Sequence, residues 1–466
     1  MNKQNRRKFI KLSAVTGSFL GLPITGTYAK DVIEERLQAI SEKRQPAGKS
    51  VMGLKMDPIK EVKVAFIGLG NRGFGHLRHV NALYPKAKIT AICDIRKSQT
   101  DKAMEFLKKE KNKPSVYTGT ADSWKEMMQR DDIDLVVIAT PWNDHVPMSV
   151  YSMQQGKHVA LEVPAAVTLE GCWDLVDTAE ATQRNCMMME NVCYGDEELW
   201  ILNMVQQGVF GTLTYAEAAY IHDLRENMFS KTGYYNQWRI RHHIKSDGNL
   251  YPTHGLGPVA QYLGIARGDR FSHLVSMSSL EASLSEHSAT VESDNEFYNR
   301  KDFTHGDMNN CLIKTAKGRS ILLQHDVVTP RPYSRINALA GTKAYHEGYP
   351  SRLSMNSVKG GHHWLSEAEY KEMKEKYKHP IWDKLKNEIA QYGGHGGMDF
   401  VQIYRLIDNL NRGLPLDMDV YDGADWSVIT PLSKVSIELG NIPVKFPDFT
   451  RGNWQAERPY GIMANL

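Results

Sequence analysis

An apolar run, Val62–Ile67, passes directly into Gly68-Leu69-Gly70-Asn71-Arg72-Gly73, and Asp94 follows 21 residues beyond the last glycine. This pattern limits the fold more than any other in the chain, because each part has a separate physical task. Gly68 permits a tight turn out of the strand, and Gly70 lets backbone approach a pyrophosphate. Gly73 lets the next helix pack close to the sheet, and that helix's N-terminus favours the bound anion. Asp94 ends a second apolar run, Ile89–Cys93, where a carboxylate can accept both ribose hydroxyls of an adenosine. The same charge repels a 2′-phosphate, which favours NAD over NADP; Arg96, two residues on, moderates that preference. A bound dinucleotide is expected.

At 466 residues the chain calls for two or three domains. With 41% hydrophobic and 24% charged residues it has the make-up of a soluble globular protein, without an apolar run long enough to span a bilayer. Cys93, Cys172, Cys186, Cys193 and Cys311 form no CxxC pair, so buried thiols are expected rather than a disulfide framework. Residues 1–29 form a separate unit. Asn5-Arg6-Arg7-Lys8-Phe9-Ile10-Lys11 precedes a modest apolar segment, and Thr27-Tyr28-Ala29 offers a small-x-small cleavage site. The paired arginines resemble a twin-arginine export signal, which carries folded, cofactor-loaded proteins to the periplasm. An ordinary secretory signal or a basic tail is the plainer alternative. Loss of this segment removes five basic residues and no acids, taking the formal charge from +3 to −2. No nucleic-acid surface and no stable membrane anchor are expected.

Residues 30–60 are polar and mixed, and read as a linker or surface arm. From 61 to 194, short apolar strands (Val62–Ile67, Ile89–Cys93, Leu135–Ala139, Val159–Leu161, Met187–Met189) alternate with amphipathic helical stretches (101–109, 123–130, 145–155, 169–182). That alternation predicts an α/β, doubly wound parallel Rossmann sheet whose ligand sits beyond the strands' carboxyl ends. Asn71, Asp94, Trp142, Glu162 and Asn191 all fall there. From 195 to 466, longer stretches (Leu213–Ile221, His273–Met277, Cys311–Thr315, Ser320–Val328) predict an α+β substrate domain with a largely antiparallel open sheet. Amphipathic helices are expected near Met398–Asn411 and Gly423–Leu439.

The glycine turn, Thr140-Pro141-Trp142-Asn143-Asp144-His145 and Glu162-Val163-Pro164 together resemble the glucose–fructose oxidoreductase and inositol dehydrogenase superfamily. Its members usually read Glu-Lys-Pro at the third motif, with the lysine assisting proton transfer at the hydroxyl being oxidised. Val163 cannot donate, accept or relay a proton. Tyr220, Trp238-Arg239, Asn249-Leu250-Tyr251-Pro252-Thr253-His254 and Arg331-Pro332-Tyr333 point to a closer resemblance, with glycoside hydrolase family 109, the NAD-dependent α-N-acetylgalactosaminidases. Members commonly share the Glu-Val-Pro turn and an export signal. The resemblance implies cofactor contacts from Gly68, Gly70, Asn71, Arg72, Gly73, Asp94, Trp142, Asn143, Asp144, His145, Glu162, Val163, Asn191 and Tyr251. It implies sugar contacts from Tyr220, Arg239, Tyr251, Pro252, Thr253, His254 and Tyr333.

The chemistry so implied is glycoside hydrolysis without the usual carboxylate pair. Transient oxidation at C3 by tightly bound NAD acidifies the C2 proton; the aglycone is eliminated, water adds at C1, and C3 is re-reduced with no net oxidation. His254 is the candidate acid/base, because an imidazole titrates near neutral pH. Tyr251 is a candidate relay, and Tyr194, three residues past Asn191, is another. Arg239 is a fixed cation suited to developing negative charge. The partner implied is a glycoconjugate ending in N-acetylgalactosamine. His242-His243, His362-His363 and His395 lack metal-site spacing, so no metal is expected. A sugar or polyol dehydrogenase is the alternative, and a non-catalytic sugar sensor is a third class. A homodimer is expected by analogy, through the second-domain sheet.

Overall fold

The computed structural model describes residues 27–108, 113–359 and 362–464. The expected export signal lies outside these residues apart from its last three. The segment read as an arm opens with a helix, Thr27–Ser41, whose Arg36 pairs with Glu438 of the second domain at 2.8 Å.

The first domain is built on six parallel strands: β1 (Val62–Ile67), β2 (Ala87–Asp94), β3 (Ser115–Thr118), β4 (Leu135–Ile138), β5 (His158–Leu161) and β6 (Cys186–Met188). Their order in space is β3-β2-β1-β4-β5-β6. This is the doubly wound Rossmann arrangement, and its switch point lies between β1 and β4. β4 and β5 are buried along their whole length, as helices on both faces require of a central parallel strand. The bounds of β1 and of the helix Leu169–Thr182 agree with those predicted. β3, an exposed edge strand with one aliphatic residue, was not predicted.

The second domain carries eight strands: β7 (Leu213–Ile221), β8 (Phe271–Ser278), β9 (Asn309–Thr315), β10 (Ser320–Asp326), β11 (Ala338–Gly341), β12 (Ala344–Glu347), β13 (Arg352–Met355) and β14 (Val444–Lys445). They lie in the order β13-β12-β11-β7-β10-β9-β8-β14, with only β7 and β10 parallel. β9 alternates between buried residues and ones that are partly or fully exposed, so one face is covered and the other open. The helix expected over 423–439 is instead two, Val420–Ser427 and Ile429–Glu438. Pro431 has no N–H to return to the Ser427 carbonyl, which explains the interruption. All five cysteines are free and buried, and no described helix is long and apolar enough to cross a membrane.

One helix locks the second domain against the first. The helix Met398–Arg412 is buried over most of its length and packs on the first helix of the Rossmann domain, Asn71–Ala82. Within it, Arg405 grips Asp417 through two bonds of 2.7 and 2.9 Å, both side chains almost wholly buried. The Tyr194 hydroxyl donates to the same carboxylate at 3.2 Å. The turn after β6 is thereby fixed to this helix. Arg405→Ala strands a buried carboxylate and is expected to cost about 3–5 kcal/mol in urea unfolding. Arg405→Leu with Asp417→Leu should cost clearly less.

Candidate functional site

The carboxyl ends of β1, β2, β4, β5 and β6 open into a cleft of about 650 Å³ that continues beneath the second domain. Gly68 adopts φ +86°, and a Cβ there would meet the Ala139 carbonyl oxygen at 2.7 Å. Beneath the turn, a Cβ on Gly73 would lie 1.8 Å from the Gly68 oxygen, so only glycine lets this helix sit so close to the strand. Asp94 is clamped by the N–H of Leu69 at 2.7 Å and that of Arg96 at 2.9 Å. Each oxygen keeps a lone pair for a further donor.

At the centre lies Arg72. Its Nε donates to Glu162 Oε1 at 2.9 Å and its Nη1 to Asp399 Oδ2 at 2.9 Å. His76 Nε2 lies 2.6 Å from the same Glu162 oxygen, and Asn191 Nδ2 donates to Asp399 Oδ1 at 2.6 Å. Burial alone would raise the Glu162 pKa, but Arg72 and the bonds from His76 and the Val163 N–H outweigh it. The result is a carboxylate held well below its usual range. The same balance, with His395 and Arg72 as the opposing groups, keeps Asp399 ionised. His145 is wholly buried, its ring nitrogens 2.8 Å from the Pro164 oxygen and 2.9 Å from the Thr140 oxygen. It pins the Thr140–His145 turn to the cis Val163–Pro164 turn.

The second domain contributes an aromatic and cationic wall. Tyr220 lies at the end of β7, and its ring centroid is 4.5 Å from that of Tyr251 and 5.3 Å from that of His254. The Arg239 guanidinium lies 4.9 Å from the Tyr251 ring and 5.2 Å from the Trp142 ring. It is buried, and its Nε and Nη2 have no hydrogen-bond partner. Burial, opposed by Arg239, pushes the Tyr220 phenol up to about 12, and burial, with Tyr220 and Glu162 as neighbours, raises that of Tyr251 well above its ordinary value. Both tyrosines are therefore neutral donors at neutral pH. His254 stands in the first turn of the helix Thr253–Tyr262, with Nδ1 2.7 Å from Glu190 Oε1.

The residues expected from the sequence do not all meet in this space. Gly68, Gly70, Asn71, Arg72, Asp94, Trp142, Asp144, His145, Glu162, Val163, Asn191, Tyr220, Arg239, Tyr251 and His254 line it. Gly73 supports the turn from below. Asn143 is exposed, and Pro252 and Thr253 are buried at the start of the helix that carries His254. Tyr333 stands at the rim, 39% exposed, its ring centroid 6.3 Å from that of Tyr220. Tyr194 requires a correction: its hydroxyl is buried on Asp417, and it does not line the cleft.

Several site residues were missed. His76, Glu190 and Asp399 carry no sequence signal, being joined to the site only by tertiary packing. His222 lines the cleft two residues past Tyr220, a spacing that puts both on one face and could have flagged it. Burial and the Arg239 charge lower its pKa, keeping the ring neutral. His395, set aside in the sequence for want of metal-site spacing, reaches Asp399 at 2.7 Å. Behind Arg239, His243, His305 and His325 form a separate, fully buried cluster. No group of three or more His, Cys, Asp or Glu among the described residues has the geometry to hold a metal.

A dinucleotide fits the cleft on its own evidence: an open glycine turn at a helix N-terminus, an acid at the end of β2, and a buried Asn191 Oδ1 that lacks a partner. Family models agree with this division of the chain. Residues 62–190 match the oxidoreductase family with an NAD-binding Rossmann fold, and residues 194–456 match the C-terminal domain of glycosyl hydrolase 109. A levoglucosan dehydrogenase in complex with NADH and levoglucosan shares the fold, with a TM-score of 0.64 at 18% identity over 83% of this chain and 99% of its own. Sequence similarity is much higher to a glycosyl hydrolase family 109 protein of Shewanella baltica, 46% identical over 99% of this chain and all of the relative. An α-N-acetylgalactosaminidase of Shewanella oneidensis is 45% identical, again over 99% of this chain and all of the relative. The chain, with its NAD-binding Rossmann domain and its second domain, belongs to glycosyl hydrolase family 109.

Proposed function

We propose that the protein removes terminal α-linked N-acetylgalactosamine from glycoconjugates, using a retained NAD as a redox catalyst rather than a consumed substrate. One observation carries this reading. His254, Tyr251, Tyr220 and Arg239 share a cleft with the nucleotide cradle, while position 163 is a buried valine. A dehydrogenase of this superfamily places its proton-transfer group at that position. Here the proton must move through the second-domain wall instead. The 45% identity to an α-N-acetylgalactosaminidase supports the sugar assignment.

Asn71, Arg72, the Trp142–His145 turn, Glu162 and Asn191 would hold the cofactor, with Asp94 on its adenosine ribose. The Asp94 charge favours NAD; Arg96, 3.5 Å from Asp94, is already paired with it. Bound NAD supplies a reversible hydride acceptor at C3 of the sugar. The protein's own groups do the rest. The C3 hydroxyl proton, released on oxidation, passes through the neutral Tyr251 phenol and returns on re-reduction. His254, its ring centroid 4.9 Å from that of Tyr251, takes the C2 proton and later returns it. The unpartnered donors of Arg239 face charge that develops on the sugar oxygen once C3 is a carbonyl. Tyr251 and Tyr220, neutral and buried, donate to sugar oxygens, and Tyr333 at the rim orients the aglycone side.

For localisation and assembly we propose export and pairing, supported by other features. Arg6-Arg7 supports export of the folded, loaded protein. The open face of the second sheet presents Met277 and Leu312, both more than half exposed, on neighbouring strands. That face supports pairing of two copies.

Purified protein should release p-nitrophenol from p-nitrophenyl α-N-acetylgalactosaminide while absorbance at 340 nm stays flat, and denaturation should free about one NAD per chain. Steady NADH formation from free sugars, without aglycone release, would instead establish the dehydrogenase. Arg6→Lys with Arg7→Lys should retain the protein in the cytoplasm; periplasmic delivery of that variant would refute the twin-arginine route. Light scattering should give a dimer mass that Leu312→Glu reduces to the monomer, and a monomeric wild type would exclude the pairing.

A further inference from the structure

Glu190 is a carboxylate with no sequence motif to explain it. It follows the apolar run Met187-Met188-Met189 at the end of β6 and is fully buried. Its Oε1 lies 2.7 Å from His254 Nδ1 and accepts from the Val192 N–H at 3.2 Å. Its Oε2 is buried with no partner at all. Burying a carboxylate costs several kcal/mol unless a charge or donors offset it. A neutral side chain of the same size would fill this space without that cost. Among the described residues, His254 is the only ionisable group bonded to Glu190.

The geometry has a definite consequence for the imidazole. A carboxylate only accepts, so Nδ1 must carry the proton. In the neutral ring Nε2 is then bare, and no protein group bonds to it among the described residues. No other histidine lining the cleft is arranged this way, and His76, which meets Glu162 at 2.6 Å, is buried and does not line it. His145 has both nitrogens on backbone carbonyls, and His222 Nδ1 is buried without a partner. His395 meets a carboxylate, but it is mostly exposed and lies on the nucleotide side beside Arg72.

We propose that Glu190 is the positioning residue for proton transfer. It fixes His254 as the Nδ1–H tautomer and aims the ring so that Nε2 is the atom exchanging a proton with the sugar. The proposal deepens the reading of His254 given above and rests on it. It also gives the turn after β6 a double task. Glu190 sets the sugar side, while its neighbour Asn191 bonds to Asp399 on the nucleotide side. A close contact holds the arrangement: a Cβ on Gly257, in the helix that carries His254, would lie 3.0 Å from Glu190 Cγ.

The test is ring ¹⁵N NMR of the full-length, NAD-loaded protein with labelled histidine, the His254 signals being assigned by their loss in His254→Asn. The neutral wild-type ring should show a protonated Nδ1 and a bare Nε2, and Glu190→Gln should lose that preference. Glu190→Gln should also lower kcat by about 10²-fold, with KM changed by less than about threefold and NAD content unchanged. A residue acting only as packing would leave both the tautomer and kcat in place. The proposal is overturned if wild-type His254 carries its proton on Nε2, or if folded, NAD-loaded Glu190→Gln keeps wild-type kcat. Should Glu190→Gln not fold, the wild-type tautomer decides. The spectrum requires no turnover, so failure of the wild type to cleave the glycoside would count against the glycosidase reading separately.

Discussion

Arg72 lies between two buried carboxylates, and the arrangement of the cleft depends on it. It leaves the turn after β1, reaches Glu162 at the end of β5, and reaches Asp399 on a helix of the second domain. One fixed cation thus serves two anions, and His76, His395 and Asn191 supply the remaining bonds. Removing either anion would leave Arg72 less fully paired, whereas removing Arg72 would leave two mostly buried carboxylates without the cation they share. The dependence spreads outward. Glu162 accepts from the Val163 N–H, Pro164 accepts a bond from His145, and His145 fixes the Thr140 turn across the switch point. The pair also joins the two domains, so the floor of the cleft and its far wall keep one geometry.

The two halves of the cleft divide the work. The Rossmann half is a binding surface with ionised groups already committed to each other, and its valine at 163 removes the superfamily's usual proton-transfer group. On the proposed reading, proton transfer falls to the second domain, where burial keeps the tyrosines neutral and part of the Arg239 guanidinium has no partner. His254 is held there by a single buried carboxylate. A glycosidase that borrows a dehydrogenase fold needs this separation, since a proton must leave C2 while hydride is held elsewhere.

Much of this was legible in the sequence, for physical reasons that can be named. Parallel strands buried on both faces read as plain apolar runs, so β1 and β4 were placed almost to the residue, and a glycine turn between strand and helix has few other uses. The strands β11, β12 and β13 were not, because four residues such as Ala344-Tyr345-His346-Glu347 carry no periodicity strong enough to read. Asp399 and Glu190 were invisible because their partners lie 327 and 64 residues away along the chain. Tyr194 shows the opposite error. Its closeness in sequence to Asn191 suggested a shared site, but its side chain reaches Asp417 and Arg405's network instead.

The central claim is that the C2 proton leaves and returns during a hydrolysis with no net redox change. The most direct measurement is to run the hydrolysis in deuterated water and read the released N-acetylgalactosamine by NMR. Deuterium at C2 of the product, with protium kept at C3, is the predicted result. Full retention of protium at C2 in a protein that still releases the aglycone would contradict the account.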